Sequence, residues 1–469
     1  MTDVPRVASE APDAGFLSGV IEGFYGPPWS ESERLELFDL MAACGLNTYL
    51  YAPKDDLKHR LRWREAYSPE EAEALGTLIR ACVGRGLRFI YALGPGLDIR
   101  YSREADLEVL QQRFAHVLDL GVDHVALLFD DVPDRLHPDD LARFGSLAAA
   151  QCHVANPVWA WMRSRNPGAR LLFCPTPYCG RMVRQGLGGP GYLDILGRSL
   201  DAGIDVCWTG PEIVSPEISV EHVRGLQQTL RRKPVIWDNL HANDYDARRF
   251  YCGPYAGRPL ELRQEAAGIL INPNCECSLN DVPIRTFGSF MRAAGHWNAR
   301  GAYLEAMEAW LPRFDTVAQR ISLEDLVLLG DCFYLPHEDG PEAAALLAAA
   351  QQLCHAGPDA RGGNPAAFRD RAARLRRVCA AVADLRDRAL CHALFRPVWE
   401  LREELDLLLA GVQAWQQDHG TVLRSDFHLP GTYRGSLVAR LQHLLEQRPD
   451  GTFVRAFVPG QPTPAADTP

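Results

Sequence analysis

The stretch that decides the fold is residues 124–133, which read HVALLFDDVP. The apolar run over residues 125–129 is typical of a strand that is buried on both faces. Two carboxylates, Asp130 and Asp131, end the run, and Pro133 favours a turn directly after them. Neighbouring strand side chains point to opposite faces, so both acids share one site only if the chain turns there. Taken alone, such a pair is more often a helix cap or a solvated loop.

Short apolar strands alternate with helical patterns through the first 300 residues, and this changes the interpretation of the acid pair. A helix over residues 138–163 is one of the predicted crossovers. Eight β–α units in about 280 residues predict a (β/α)8 barrel, and no G-x-G-x-x-G motif supports an open dinucleotide-binding sheet. The barrel would place Asp130 and Asp131 at its catalytic rim. The eight predicted strands are residues 16–24, 47–52, 88–93, 125–129, 170–174, 205–208, 234–237 and 268–271.

Strand signals vanish after about residue 300, and Ala-, Leu- and Arg-rich segments with helical periodicity follow. They predict a separate all-α bundle. An apolar helical face at residues 399–409 favours bundle core, with a partner interface as the alternative. We therefore expect a disordered tail over residues 1–14, a barrel over 15–300, a helical domain over 301–458 and a disordered tail over 459–469. The predicted bundle helices are residues 341–354, 365–385, 397–416 and 435–447.

The composition limits the class of protein. The 469 residues carry a net charge of −11, which argues against a general nucleic-acid or membrane-surface binder. No apolar stretch approaches the roughly 20 residues that span a bilayer, and the N-terminus shows no secretion signal. The thirteen cysteines show neither a disulfide framework nor a zinc spacing. We expect a cytoplasmic protein with reduced cysteines and no metal site.

Polar and aromatic residues stand at the carboxyl ends of the predicted strands, where they would line one rim with the two acids. Acids, amides, hydroxyls and a tryptophan face are typical of a carbohydrate site. Each residue also has a structural alternative as a turn, cap, surface or core residue, so the prediction rests on their joint placement. The candidate sugar-binding residues are Gly23, Lys54, Tyr178, Trp237, Asp238, Asn239, Asp244, Tyr245 and Asn272.

The adjacency of Asp130 and Asp131 is unusual for a pair of catalytic acids. A retaining glycosidase normally holds its two carboxyl groups about 5–5.5 Å apart on separate strands. Adjacent acids suggest instead that one protonates the leaving oxygen while the other acts on a substrate group that attacks. A 2-acetamido sugar carries such a nucleophile in its own carbonyl oxygen. Lys54, if it lies near the ionised acid, would help keep it charged.

Five motifs occur in order along the chain: VIEGFYG at 20–26, YLYAPKDD at 49–56, LLFDD at 127–131, WDNLHANDY at 237–245 and NPNCE at 272–276. Together they resemble glycoside hydrolase family 84, a family of protein O-GlcNAcases and related β-N-acetylglucosaminidases. Two further segments in the helical region, LEDL at 323–326 and FYLP at 333–336, resemble the stalk domain of the animal enzyme. We expect no acetyltransferase-like domain after the stalk, and Pro177 stands where the animal enzyme has an acidic residue.

The resemblance implies hydrolysis, with retention, of O-linked GlcNAc on Ser or Thr of glycoproteins through an oxazoline intermediate. Asp130 would polarise the 2-acetamido group, and Asp131 would be the general acid and then the base. It also implies that no cofactor or metal is used, and that the stalk helices form a homodimer. Two alternatives stay open: a hexosaminidase that acts on free GlcNAc-containing glycans, and a catalytically silent sugar-binding scaffold.

Overall fold

The computed structural model describes residues 15–246, 248–355, 365–417, 423–424 and 436–456. The chain forms two compact units. Unit 1 comprises Met1–Asp244, Tyr255–Cys277 and Pro283–Ala299, and unit 2 comprises Tyr245–Pro254, Ser278–Val282 and Arg300–Pro469. The predicted domain boundaries stay predictions, and both predicted disordered tails lie outside the described residues.

Unit 1 contains a closed barrel of eight parallel strands in sequential order, as the sequence predicts. Closure is made where β8 pairs with β1, with Leu17 opposite Gly268 and Val20 opposite Ile271. Because all strands are parallel, their carboxyl ends meet at one rim. The strands are β1 Leu17–Glu22, β2 Thr48–Tyr51, β3 Arg88–Leu93, β4 His124–Leu128, β5 Arg170–Cys174, β6 Asp205–Trp208, β7 Pro234–Asp238 and β8 Gly268–Ile271.

Alternate strand residues form one buried apolar cluster, which includes Ile90 and Ala92 of β3 and Leu172 and Cys174 of β5. Because side chains alternate along a strand, a set drawn from alternate positions of all the strands meets only inside the barrel. Most of the remaining strand residues are buried on the outer face, as Phe89 is. Burial of both faces explains why these strands read as unbroken apolar runs.

Helices follow the strands along the chain. The single helix predicted over residues 138–163 is two helices in the structure. Gly145, in the left-handed conformation with φ of 70°, ends the first, and the Ser146 side chain caps the second by accepting a hydrogen bond from the Ala149 amide. The helices are α1 Glu31–Ala43, α2 Pro69–Val83, α3 Glu104–Asp119, α4 Pro138–Phe144, α5 Leu147–Arg165, α6 Gly180–Arg184, α7 Tyr192–Ser199, α8 Val220–Leu230, α9 Leu262–Glu265 and α10 Asp281–Arg292.

Unit 2 is mainly helical, as the sequence predicts. Its longest helix, α15, begins nine residues before the predicted start at Pro397, which lies inside the helix. None of the described helices is long and apolar enough to cross a membrane. The helices are α11 Ala299–Trp310, α12 Leu323–Asp331, α13 Pro341–His355, α14 Pro365–Val382, α15 Arg388–Gln417 and α16 Ser436–Gln442.

The prediction that strands are absent after residue 300 is wrong, because unit 2 also contains a small antiparallel sheet. Its strands are β9 Leu423–Arg424, β10 Leu445–Gln447 and β11 Thr452–Arg455. The predicted helix over 435–447 therefore ends at Gln442. Gly451, with φ of 81°, allows the chain to reverse between β10 and β11, and the Arg448 amide donates to the Thr452 carbonyl across this turn. Pairing with β11 thus overrides the helical pattern.

Candidate active site

Asp130 and Asp131 follow β4 at the carboxyl-end rim. Asp131 has a left-handed backbone with φ of 47°, which is uncommon for a residue with a side chain. The chain therefore leaves the strand geometry at the acid pair, and this is the turn that the sequence analysis required. The two neighbouring carboxylates come to occupy different surroundings, since Asp130 is only partly accessible and Asp131 is exposed.

Asp130 pairs with Lys54 from the loop after β2. The Lys54 Nζ lies 2.8 Å from Asp130 Oδ2, and the two side chains are only 6% and 11% exposed. Burial alone would raise the pKa of Asp130, but the Lys54 ammonium holds it below its ordinary value. Burial likewise opposes the charge of Lys54, yet Asp130 holds the pKa of Lys54 above its ordinary value. The pair is charged, and Lys54 supports Asp130 as the sequence analysis proposed.

Asp131 receives one tyrosine hydroxyl at each carboxylate oxygen. Tyr178, which follows β5, donates to Oδ1 at 3.0 Å, and Tyr25, which follows β1, donates to Oδ2 at 3.1 Å. Burial raises the pKa of both phenols, and the Asp131 carboxylate raises it further. Both tyrosines therefore stay protonated and act as donors. Asp131 itself is exposed, so a leaving-group oxygen can reach it.

Gly23 and Trp237 meet at the ends of β1 and β7. A Cβ atom on Gly23 would lie 2.6 Å from the Trp237 ring, which is closer than real side chains approach. Only glycine therefore lets the indole occupy this position. Trp237 is 6% exposed and belongs to the same buried cluster as Tyr178. The indole can provide an apolar wall beside the acids.

Asn239 and Asn272 form a linked pair of amides. Asn272 Nδ2 donates to Asn239 Oδ1 at 3.0 Å, and Asn239 Nδ2 donates to the Ile213 carbonyl at 2.9 Å. Asn272 Oδ1 is buried and has no hydrogen-bond partner among the described residues. A buried acceptor without a partner is costly, so Asn272 is suited to receive a sugar hydroxyl.

Asp238 is held at both carboxylate oxygens by partners within the barrel unit. Arg258 donates to both of its oxygens at 2.7 Å, and Tyr255 donates to Oδ2 at 2.7 Å. The Leu240 amide also donates to Oδ1, at 3.1 Å. Burial would raise the pKa of Asp238, but Arg258 holds it low. These bonds give Asp238 a structural role, and its contact with a sugar stays a prediction.

Asp244 and Tyr245 lie in the first part of the long loop between β7 and α9. Asp244 Oδ2 accepts a hydrogen bond from the Tyr25 amide at 3.1 Å, which ties this loop to the residue that contacts Asp131. Tyr245 belongs to unit 2, where its hydroxyl lies 2.9 Å from that of Tyr251. The predicted part of Tyr245 in the sugar pocket stays a prediction.

Sequence reasoning missed two residues that contact the acid pair, Tyr25 and Arg60. Arg60 donates to the Tyr25 hydroxyl and to the Asp131 carbonyl, each at 2.5 Å. Tyr25 directly follows the strand-end residues Gly23 and Phe24, and that position was an available signal. Arg60 lies in the middle of an irregular loop, where neither hydrophobic periodicity nor motif spacing indicates which residues reach the site.

A closed parallel barrel with two differently held carboxylates at its carboxyl-end rim has the features of a barrel-type glycosidase site. The family model described as "beta-N-acetylglucosaminidase" matches residues 18–323. The chain belongs to this β-N-acetylglucosaminidase family.

Individual relatives agree with this assignment. The chain is 45% identical over 278 residues to the protein O-GlcNAcases of Rattus norvegicus and Mus musculus, a match that covers 59% of this chain. It spans only 30% of the length of those relatives. It is also similar to the structure of a mutant O-GlcNAc hydrolase of Thermobaculum terrenum, with 28% identity and a TM-score of 0.73. That match covers 86% of this chain and 85% of the other.

Proposed function

We propose that the protein is a retaining β-N-acetylglucosaminidase that removes O-linked GlcNAc from Ser or Thr of glycoproteins by substrate-assisted catalysis. The observation that carries the proposal is the contrast within the acid pair. Asp130 is buried against Lys54, whereas Asp131 is exposed between two phenols. Relatives named O-GlcNAcase and O-GlcNAc hydrolase support the choice of substrate.

In this mechanism Asp130 stays ionised and accepts a hydrogen bond from the 2-acetamido N–H. The acetamido carbonyl oxygen attacks the anomeric carbon, and the bond to the leaving Ser or Thr oxygen breaks as Asp131 gives that oxygen a proton. The intermediate is an oxazoline. Asp131, now a carboxylate, takes a proton from water, and the water oxygen opens the oxazoline with net retention. Lys54 keeps the negative charge of Asp130 fixed throughout.

The acid pair provides a test of this division of labour. Asp131→Asn removes the proton donor, so it should lower kcat/KM by about 10²–10⁴-fold for glycosides with poor leaving groups and far less for activated aryl glycosides. Asp130→Asn should lower both by about 10²–10³-fold, because both need the acetamido group polarised. Equal losses for both variants on both substrates would refute the assignment.

The wild-type protein distinguishes the alternative functions. We expect faster GlcNAc release from a glycosylated peptide than from a GlcNAc oligosaccharide, and the reverse order would favour a hexosaminidase of free glycans. Failure to release GlcNAc from an aryl β-GlcNAc glycoside at any mild pH would favour a silent sugar-binding scaffold.

The proposal includes a cytoplasmic homodimer that assembles through the helical region. None of the thirteen cysteines, all of which lie in the described part of the chain, forms a disulfide, and this supports a reducing compartment. On α15, Phe395 and Trp399 are 55% and 49% exposed, and their rings stack with centroids 6.0 Å apart. An exposed aromatic patch of this kind suits a second copy of the chain. Analytical ultracentrifugation tests this part of the proposal, and a monomer at micromolar concentration would contradict it.

A further inference from the structure

Two cations of the loop that follows β2 each contact one acid of the pair. Lys54 contacts the Asp130 carboxylate, as described above. Arg60, six residues further on, contacts Asp131 and Tyr25 instead. One loop therefore organises both acids, although the family motifs in the sequence include only its first cation.

The loop is held from within by Asp56. Its Oδ1 accepts hydrogen bonds from the backbone amides of Lys58 at 2.9 Å and His59 at 3.3 Å. Its Oδ2 accepts from the hydroxyls of Tyr51 at 2.9 Å and Tyr67 at 2.8 Å. These four bonds fix the turn between the two cations.

His59 attaches the loop to β3. Its Nδ1 donates to the Ala92 carbonyl at 2.7 Å, and its own carbonyl accepts from the Gly94 amide at 2.8 Å. The ring is completely buried. Arg60, the next residue, is therefore attached to a rigid part of the barrel, so its guanidinium can hold other groups in place.

Arg60 acts on Asp131 by two routes. One nitrogen donates to the backbone carbonyl of Asp131, the residue that has the unfavourable left-handed φ. Another nitrogen donates to the Tyr25 hydroxyl, which in turn donates to Asp131 Oδ2. A planar guanidinium with a fixed fork of donors can make both bonds at once. The backbone and the carboxylate of Asp131 are thus oriented by the same side chain.

We propose that Arg60 is a positioning residue that sets the orientation of Asp131 for proton transfer to the leaving oxygen. This inference rests on the proposed function, because it assigns Arg60 to the acid step of that reaction. Arg60 acts through Asp131 and Tyr25 rather than on the substrate. Truncation of Arg60 should therefore impair the step that needs a proton and leave acetamido polarisation by Asp130 intact.

Steady-state kinetics of Arg60→Ala test the proposal on two aryl β-GlcNAc glycosides, one with a poor and one with a good leaving group. We expect kcat/KM to fall about 10–100-fold on the poor leaving group and by only about threefold on the good one, since general-acid catalysis is worth 10²–10⁴-fold. Arg62→Ala is the matched control, because Arg62 is exposed in the same loop and its side chain, within the part of the chain that the structure describes, pairs with Glu65 alone. It should leave both rates unchanged.

Guanidinium ion at low millimolar concentration gives a second readout. It should restore part of the lost activity of Arg60→Ala, because it can occupy the space of the missing side chain and donate the same two bonds. It should not restore Asp131→Asn, which lacks the acid itself. A purely structural role for Arg60 would produce no such rescue, so the absence of rescue overturns the proposal.

The outcomes separate this proposal from the proposed function. If the wild-type protein releases no GlcNAc, the proposed function fails. If the wild-type protein and Asp131→Asn behave as expected but Arg60→Ala loses the same factor on both glycosides, the positioning role is wrong. Should Arg60→Ala not fold, Arg60→Lys replaces it, because an ammonium keeps the charge but not the fork. For Arg60→Lys we again expect kcat/KM to fall more on the poor leaving group than on the good one. Equal falls in kcat/KM on both glycosides would overturn the proposal.

Discussion

Two carboxylates at the rim of the barrel, Asp238 at the end of β7 and Asp130 after β4, each pair with a buried cation. Asp238 and Arg258 are fully buried, and Asp238 also accepts from Tyr255 and the Leu240 amide. Asp130 has Lys54 as its only hydrogen-bond partner among the described residues. A carboxylate whose two oxygens both have hydrogen-bond partners within the protein holds loops together. A carboxylate with an oxygen that still lacks such a partner can bind a substrate group. The number of partners, more than burial or charge, distinguishes the two sites.

The largest effect is expected for Arg258→Met. The change leaves Asp238 charged, buried and unpaired, so the free energy of unfolding should fall by about 3–5 kcal/mol. The carbonyls of Ser215, Pro216 and Ala256 would lose their donor as well. Urea denaturation measures the loss. Arg224→Met, which breaks the pair between the exposed Arg224 and Glu265, is the control and should leave the free energy of unfolding nearly unchanged. Similar losses of stability for both variants would show that the buried Asp238–Arg258 pair contributes no more to stability than the Arg224–Glu265 pair.

Lys54→Met should affect activity more than stability, unlike Arg258→Met. Asp130 would lose the cation that keeps it ionised, so kcat/KM should fall by about 10²–10³-fold. Burial would then determine the pKa of Asp130 and raise it. The acid limb of the pH profile of kcat/KM should therefore move to higher pH. Lys58→Met is the control, because Lys58 lies in the same loop but pairs with Glu71 of α2. An acid limb that stays in place would contradict the role of Lys54.

His59 gives the Asp130 side a pH dependence of its own. Burial and the positive charge of Lys54 lower the pKa of His59 to about 4. The negative charges of Asp56 and Asp130 oppose this shift but do not cancel it. An unfolded histidine titrates near pH 6.5. The unfolded chain therefore binds a proton first, and stability is lost as pH falls from about 6.5 towards 4.

This contribution amounts to about 2 kcal/mol between pH 7 and pH 5. In His59→Gln the amide can still donate to the Ala92 carbonyl but does not titrate, so the loss between these pH values should shrink by that amount. Urea denaturation at both pH values measures it. His296→Gln changes an exposed histidine and should keep the wild-type dependence. An unchanged loss in His59→Gln would show that His59 takes up its proton in the folded state.

Much of the barrel was predictable because its strands are buried on both faces. The predicted bounds of β3, β5, β6 and β8 agree with the structure, since the apolar residues of these strands are the ones that the barrel buries. The start of α15 and the break between α4 and α5 were not predicted. Pro397 is tolerated within a longer helix, and Gly145 adopts a left-handed conformation that its sequence context does not require.

The candidate site was predictable in part. The position of Asp130 and Asp131 at a strand end follows from the pattern, and Lys54 was anticipated as a partner. Arg60 was not, because its role depends on a loop fold fixed by Asp56 and His59. Asp238 resembles a site residue in the sequence, yet its partners Tyr255 and Arg258 lie 17 and 20 residues further along the chain.

The sequence by itself determined the barrel, the helical region after it, the family resemblance and the adjacency of the two acids, because periodicity and motifs are local properties. Only the tertiary structure decided what surrounds each acid. Lys54 is 76 residues from Asp130, and Tyr178 is 47 residues from Asp131. Such contacts exist because barrel closure brings the carboxyl ends of separate strands to one rim. The left-handed turn at Asp131 then directs the neighbouring carboxylates into different surroundings.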